Sequence, residues 1–443
     1  MRTKKSIFIT LLLSLFIFGK GNLWAQQKSI SLDESKKAAL TYSNDIKNGN
    51  LRIEKAEAAR REAIANYLPT IEGSATGIYA FEDLIPPVPE TLPDGIDNFY
   101  FAGITATETV YAGGKVRTGS ALADLQGEVS RIRARQSVDS VVLLTEQKYW
   151  RLVKAQEQKK VLNANEDYLE GLLKQQQDLL DAGLIAKNDL LRVRVELSKL
   201  LLQKSKLKNQ RNIALLDLTL YTGIPFDTTM VAVDTISVRS MPLFNYSQPN
   251  LDLNNNSNYQ LLEKSIEAAR LQTQLEKGDL LPSVAVGVSG SRFGSFDNSF
   301  DGNFLPMAFA TVSIPISAWW GPEKEKVRQK QIQEEIAIND LRDGKDQLKV
   351  GIMKSWYDLS DAYKKILYAS ENLNYTRENL NVNRDNYNSG LSNLTELLNA
   401  QALFQEAKTE LVSAFADYEE AEAVYLYQTD QLEVPEVNKE KKY

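Results

Sequence analysis

The 443-residue chain carries 52 Lys and Arg against 58 Asp and Glu, and it has neither His nor Cys. Those absences exclude a thiolate nucleophile, a disulfide, a Cys/His zinc site, a haem ligand and a Ser-His-Asp triad, while carboxylate-only metal sites and paired-carboxylate glycoside chemistry stay open. The mildly acidic balance argues against nucleic acid as a partner, the apolar share of 43% is below that of a polytopic helical membrane protein, and 19 Tyr are too many for a disordered acidic chain.

Residues 1–25 read as an export signal. Arg2, Lys4 and Lys5 precede an apolar run from Ser6 to Phe18, and Leu23-Trp24-Ala25 offers a cleavage site, so the mature chain is expected to start at Gln26. The run is shorter than the roughly 20 residues a spanning helix needs; an uncleaved signal anchor is the alternative. No later stretch of about 18 apolar residues follows, so no transmembrane helix is expected.

Residues 33–68 have helical periodicity and stop at Pro69, which cannot continue a helix. Residues 71–81 alternate weakly, with Ile71, Tyr79 and Phe81 on the apolar side. After the Pro-rich loop 84–95, residues 98–112 alternate clearly: Tyr100, Ala102, Ile104, Ala106 and Val110 share one face, and Thr105, Thr107 and Thr109 the other. Residues 115–182 lack Pro and are rich in Lys, Glu, Gln and Leu; as one helix they would span about 100 Å. A reversal at Gly183, a helix over 186–221 and a loop-like stretch 222–249 complete the first half.

The order then repeats. A helix over 250–281 ends at Pro282, strands 283–291 and 304–316 follow, and a long helix 323–388, a reversal at Gly390 and a helix 394–428 close the chain. Val284, Val286, Val312 and Ile314 fall on apolar faces, and Ser289, Thr311 and Ser313 on polar ones; Pro306 and Pro315 weaken the last strand. The duplication is visible in the residues: "DAGLIAKNDLL" (181–191) matches "NSGLSNLTELL" (388–398), and "IEKAEAAR…NYLP" (53–69) matches "IEAARLQ…DLLP" (266–282). The expected organisation is a signal peptide 1–25, repeat 1 over 26–223, a linker 224–249 at mid-height, repeat 2 over 250–430 and a tail 431–443. Helices this long exceed a compact domain. Two half-length helices end to end match one long one, which points to a rod of coiled helices with strands at one end and helix turns at the other.

Four strands cannot close a membrane barrel, which needs about eight. Two chains would supply eight, a barrel filled by its own side chains, whereas three supply twelve and leave a lumen. The expected fold class is therefore mainly α with β: helical hairpins plus four strands per chain, assembled as a trimeric 12-stranded barrel on a helical tunnel. Thr105, Thr107, Thr109, Ser289, Thr311 and Ser313 would line water, and Val284, Val286, Val312 and Ile314 would meet lipid. An ordinary half-buried sheet in an exported coiled-coil scaffold or adhesin is the competing reading.

With these elements in place, the chain resembles the TolC-like outer-membrane efflux protein family over essentially its whole mature length. The resemblance is carried by the two hairpin tips, "AGLIAKNDLLRVRVEL" (182–197) and "SGLSNLTELLNAQALF" (389–404), and by the strand-to-helix turn "TVYAGGKVRTG" (109–119); its second copy, "SAWWGPEK" (317–324), departs from the double-Gly form. The resemblance implies a homotrimeric channel-tunnel in the outer membrane of a Gram-negative bacterium. It would conduct substrates passively from an inner-membrane transporter through a periplasmic adaptor, in tripartite efflux or type I secretion, with no enzyme activity, cofactor, metal or nucleic acid. It further implies that the tips, with Gly183, Leu184, Gly390 and Leu391, dock the adaptor, although Gly183 and Gly390 also read as simple helix C-caps. Leu184, Leu191, Leu391 and Leu398 are expected to be coiled-coil core more than partner contacts. In the family a ring of acids narrows the periplasmic mouth. Glu396 matches that position, the next acid falls on Asn399, and Asp189 occupies the equivalent place in repeat 1; an ordinary solvated helix face is the alternative.

Overall fold

The computed structural model describes residues 28–87, 89, 95–236, 242–296 and 302–436; the expected signal segment lies outside them, as do parts of the Pro-rich loop and of the C-terminal tail. In chain order the elements are β1 (Ser29–Ile30), α1 (Leu32–Tyr42), α2 (Asn44–Ala65), β2 (Thr70–Tyr79), β3 (Asn98–Ala112), α3 (Lys115–Asp181), α4 (Lys187–Thr222), β4 (Val231–Ala232), α5 (Ser257–Gly278), β5 (Ser283–Gly294), β6 (Leu305–Ser313), a short 3-10 turn (Ile316–Trp319), α6 (Pro322–Asn388) and α7 (Leu394–Gln428). The order of the two repeats is as expected. The chain divides into two compact units, one of Met1–Ser43, Asp139–Gln248 and Lys354–Tyr443, the other of Asn44–Val138 and Pro249–Met353.

Three of the departures from the sequence reading have a clear local reason; β2 and the end of the first helical stretch shift by up to three residues, and β5 runs on to Gly294, three past the expected end. The helix expected over 33–68 is broken at Ser43, whose ψ of 127° leaves the helical region; the run Ser43-Asn44-Asp45 is made of residues that favour helix starts over helix interiors. Ser31 and Glu34 close a reciprocal capping box at the start of α1. The helix expected from 250 starts only at Ser257, because the Asn256 side chain accepts hydrogen bonds from the amides of Asn258 and Tyr259, and Asn250 and Asp252 form turns with the amides two residues on. The strand expected over 304–316 ends at Ser313, so Ile314, assigned to the strand's apolar face, lies just past it. Pro315 has no amide to donate, and a 3-10 turn follows. Pro306 is tolerated because β6 is an edge strand.

The sheet-bearing unit holds one antiparallel sheet of order β2-β3-β5-β6. Its central pair joins the two repeats: Thr105 faces Ser289, Thr107 faces Gly287 and Ala106 faces Val288, with a bulge between Thr109 and Tyr111. Among the described residues the outer edges of β2 and β6 pair with nothing. Beside the sheet each repeat packs its short helix on its long one. Arg60 of α2 pairs with Asp124 of α3, and Arg270 of α5 with Glu334 of α6. The two pairs share the same 64-residue separation, so the duplication preserves helix register across unlike loops. A Cβ added at Gly49 would lie 3.4 Å from Ala134, so α2 and α3 approach closely there, while Ile266, Ala269 and Ala337 form a small apolar core.

In the other unit the distal part of α3 packs with α4, α7 and the distal part of α6. One buried cluster comprises Leu359, Ile366, Leu411, Phe415 and Tyr418; a second gathers Tyr149, Leu152, Leu215 and Leu218 with Ile30 and Met230. The linker 224–249 is fastened here by polar contacts. Arg211 donates to the carbonyls of Thr228 and Met230. The Gln156 amide brackets Ala232, accepting from its N–H at 2.7 Å and donating to its carbonyl at 3.3 Å. Tyr149 donates to Asp234, and Tyr246 to Glu422 at 2.7 Å. β4 adds a parallel two-residue pairing with β1. Among the described residues no helix is long and apolar enough to cross a membrane.

Candidate functional site

The hairpin tips are two copies of one device. Gly183 and Gly390 both have φ of +73°, a left-handed conformation that costs an L residue with a side chain about 1–2 kcal/mol. In each, the amide after the glycine reaches back five residues, Leu184 to Leu179 at 2.9 Å and Leu391 to Asn386 at 2.8 Å. The glycine amide itself bonds three residues back, to Leu180 and to Tyr387. This is the Schellman pattern, which satisfies the last carbonyls of α3 and α6. An added Cβ would meet nothing within 4 Å at either glycine, so backbone conformation alone selects Gly. Replacing Gly390 by Ala is expected to destabilise the tip by about 1 kcal/mol, measurable by hydrogen exchange of its amides; an unchanged exchange rate would contradict the strain argument.

The leucines at the tips correct the expectation of coiled-coil core. Leu184 is 71% exposed, Leu391 80% and Leu191 43%; their neighbours Leu190 and Leu397 are the buried ones. Leu398 alone of the four expected core positions packs against a cluster, the one formed by Leu172, Val193, Leu380, Leu394 and Leu397. Leu190 and Leu397, the residues before Leu191 and Leu398, take the buried positions.

Glu396 and Asp189 occupy the same place in their repeats, the third residue of α7 and of α4. Glu396 is exposed and makes a capping pair with Asn393: the Asn393 Oδ1 accepts from the Glu396 amide at 3.1 Å, and Asn393 Nδ2 donates to Glu396 Oε1 at 3.3 Å. Asn399 is exposed one turn further along. The start of α4 lacks such a cap, since Ala186 is its N-cap. Arg192, one turn after Asp189, donates to Thr395 beside Glu396, which brings the starts of α4 and α7 together. Higher up, Gln176 and Tyr387 exchange hydrogen bonds at 2.9 and 3.1 Å, and Gln401 donates to Asn165 at 2.6 Å. These links between the two hairpins were not read from the sequence, because Gln, Asn and Tyr on helices carry no positional signal by themselves.

The sheet sorts its residues as alternation requires. Directly opposite residues share a face, so Thr105, Thr107, Thr109, Ser289, Thr311 and Ser313 all lie on one side, and Val284, Val286, Val312 and Ile104 on the other. On β5 Gly287 and Ser289 are half-buried whereas Val286 and Val288 are open, but Thr109, Thr311 and Ser313 are exposed, as Ile104 and Val312 are, so the two sides differ in chemistry and not in burial. Two features departed from the simple alternation. Phe101, Phe293 and Phe309 share the Thr/Ser face, making it polar only toward the helix-bearing ends of the strands. Glu108 sits on the Val face, opposite Val286.

The comparisons with known proteins agree with this architecture. The family model described as outer membrane efflux protein matches residues 37–224 and 249–427. No curated protein matches the chain. Among solved structures, the Campylobacter jejuni CmeC outer membrane channel superposes with a TM-score of 0.77 at 17% identity, covering 91% of this chain and 87% of that one. The outer membrane protein VceC from Vibrio cholerae gives 0.76 at 13% identity, covering 90% and 95%. The open state of the Neisseria gonorrhoeae MtrE outer membrane channel gives 0.73 at 15% identity, covering 91% and 89%.

Proposed function

The chain belongs to the outer membrane efflux protein family, an outer-membrane channel-tunnel of an efflux system, and we propose that three copies close its sheet into one 12-stranded barrel around a water-filled lumen. The observation that carries this is the pair of open edges. β2 and β6 are the outer strands of the sheet, and every residue of both is exposed. Unpaired strand edges do not persist in a membrane. Joining β6 of one copy to β2 of the next satisfies both, and three four-stranded sheets reach a size that leaves a lumen. The Thr/Ser face then lines water and the Val face meets lipid. The scaffold or adhesin reading offers no partner for these edges. Mass measurement in neutral detergent is expected to return a trimer; a fully helical monomer or dimer would overturn the closure.

In this proposal conduction is passive and the chain performs no catalysis, receiving its cargo from an inner-membrane transporter and a periplasmic adaptor that docks on the exposed tips around Leu184 and Leu391. The exposed acids at the starts of α7 and α4 would form the constriction, with Glu396 as its main charge, Asn399 beside it and Asp189 contributing from repeat 1. Three carboxylates near one axis focus negative potential and attract cations. Glu396→Gln retains an amide able to cap α7, so it isolates the charge: bilayer recordings should show weaker cation selectivity and weaker block by multivalent cations with the trimer intact. Glu396→Lys should move selectivity toward anions. Unchanged selectivity in both variants would return Glu396 to the capping role alone.

A further inference from the structure

We propose that a cavity walled by α3, α6, α7 and the linker residue Ile236 binds a small anionic amphiphile, an acidic headgroup on an apolar chain, held by Lys408 and Arg377. The cavity measures about 670 Å³, within the range of small-molecule sites. Its walls divide by chemistry. Leu373, Leu411, Val412 and Ile236 supply an apolar surface, and Lys160, Arg377 and Lys408 supply three cations. The single acid in the lining, Glu157, is taken by Lys160 at 2.6 Å.

Two cations are thus left without a carboxylate. Among the described residues neither Arg377 nor Lys408 forms an ion pair. Arg377 donates only to the side chain of Asn374 at 3.2 Å, and the Lys408 ammonium lies 4.6 Å from the centre of the Phe404 ring. Burial, and then Arg377, lower the proton affinity of Lys408. Arg377 is exposed and Lys408 half-buried; a part-buried ammonium beside a like charge and an apolar wall is stabilised when an anion joins the two cations. A ligand with charge alone would leave the apolar wall wet, and one with a chain alone would leave the cations unpaired. An anion on an apolar chain satisfies both, with the guanidinium giving the headgroup a directional donor.

The test uses the full-length protein in discs of zwitterionic lipid and equilibrium dialysis against labelled decanoate, decyl phosphate, decanol and inorganic phosphate, with empty discs as background. Decanoate or decyl phosphate is expected to bind at one per chain, at least tenfold more tightly than decanol or inorganic phosphate. Tighter decanoate would assign a carboxylate headgroup, and tighter decyl phosphate a phosphate one. Lys408→Gln and Arg377→Gln should each weaken binding several-fold, while Lys354→Gln on the exposed face of α6 should not; circular dichroism checks that helicity is retained. Equal binding of decanol and decanoate, binding indifferent to both cavity variants, or none above empty discs would each overturn the proposal. The last outcome is expected if a neighbouring copy fills the cavity instead.

Discussion

Arginine in place of Val288 should cost roughly 2–4 kcal/mol of stability in lipid vesicles, and arginine in place of Val312 only about 0–1 kcal/mol. Both residues lie on the Val face, so the difference is one of depth. Val288 stands in the middle of the sheet, between Ala106 of β3 and Ala308 of β6, whereas Val312 is the next-to-last residue of β6 and faces Val284 at the start of β5. A cation near the strand ends can reach water along its own aliphatic stem; one at mid-strand cannot. Glu108 fits the same rule. It lies on the Val face near the helix-bearing end of β3, where an acid costs little. Thr107→Arg, on the Thr/Ser face opposite Gly287, should be tolerated better than Val288→Arg. Denaturant unfolding from vesicles measures all three. Equal losses at Val288 and Thr107 would mean the faces are reversed, and equal losses at Val288 and Val312 would mean the membrane is not centred on mid-strand.

Much of this molecule is legible in its sequence, for two physical reasons. The long helices α3 and α6 have no Pro after their first residue and their reversals need glycine at positive φ, so their extents follow from punctuation: Lys115–Asp181 and Pro322–Asn388 lie within a residue of the expected spans. The strands alternate because one face differs from the other in chemistry, and β3 matches residues 98–112 throughout. The errors fall where a short-range competitor acts. Asx turns and the Asn256 cap delay α5. Ser43 interrupts the first helix, and Pro315 ends β6 early. The β1–β4 pair, two residues a side, is too short to show periodicity. The candidate site is less legible than the fold. Glu396 is found through the family resemblance and Asp189 through the repeat, and the sequence does not reveal that Asn393 caps the helix bearing Glu396. Nor did it reveal the contacts between hairpins or around the linker, because each joins residues far apart in the chain through side chains that are common on any helix surface.

The linker's attachment brings together four acids, and its stability should therefore fall as pH rises from about 4.5 to about 7. Glu419 of α7 is half-buried, and Glu422, Glu146 and Asp234 lie near it; burial first, then these charges, push its carboxyl up to about 7. The other three have partners that accommodate their charge: Tyr246 at 2.7 Å and Tyr418 at 3.4 Å bond Glu422, Tyr149 bonds Asp234, and Lys36 pairs with Glu146. In the unfolded chain Glu419 loses its proton near its ordinary value of 4.5. Between that pH and about 7 the folded protein holds a proton that the unfolded chain has released, so unfolding gains ground as pH rises. The penalty is absent below about 4.5 and complete above about 7, where it reaches about 3 kcal/mol per chain. Glu419→Gln removes the ionisation while keeping the shape. It should raise the unfolding free energy at pH 8 by about that amount and leave it little changed at pH 4.5. Because Asp234 and Glu422 anchor the linker through Tyr149 and Tyr246, the amides of residues 231–236 should also exchange more slowly in the variant at pH 8. A gain of equal size at both pH values would trace the effect to packing instead of charge, and no gain at pH 8 would show that Glu419 ionises in the folded protein without cost.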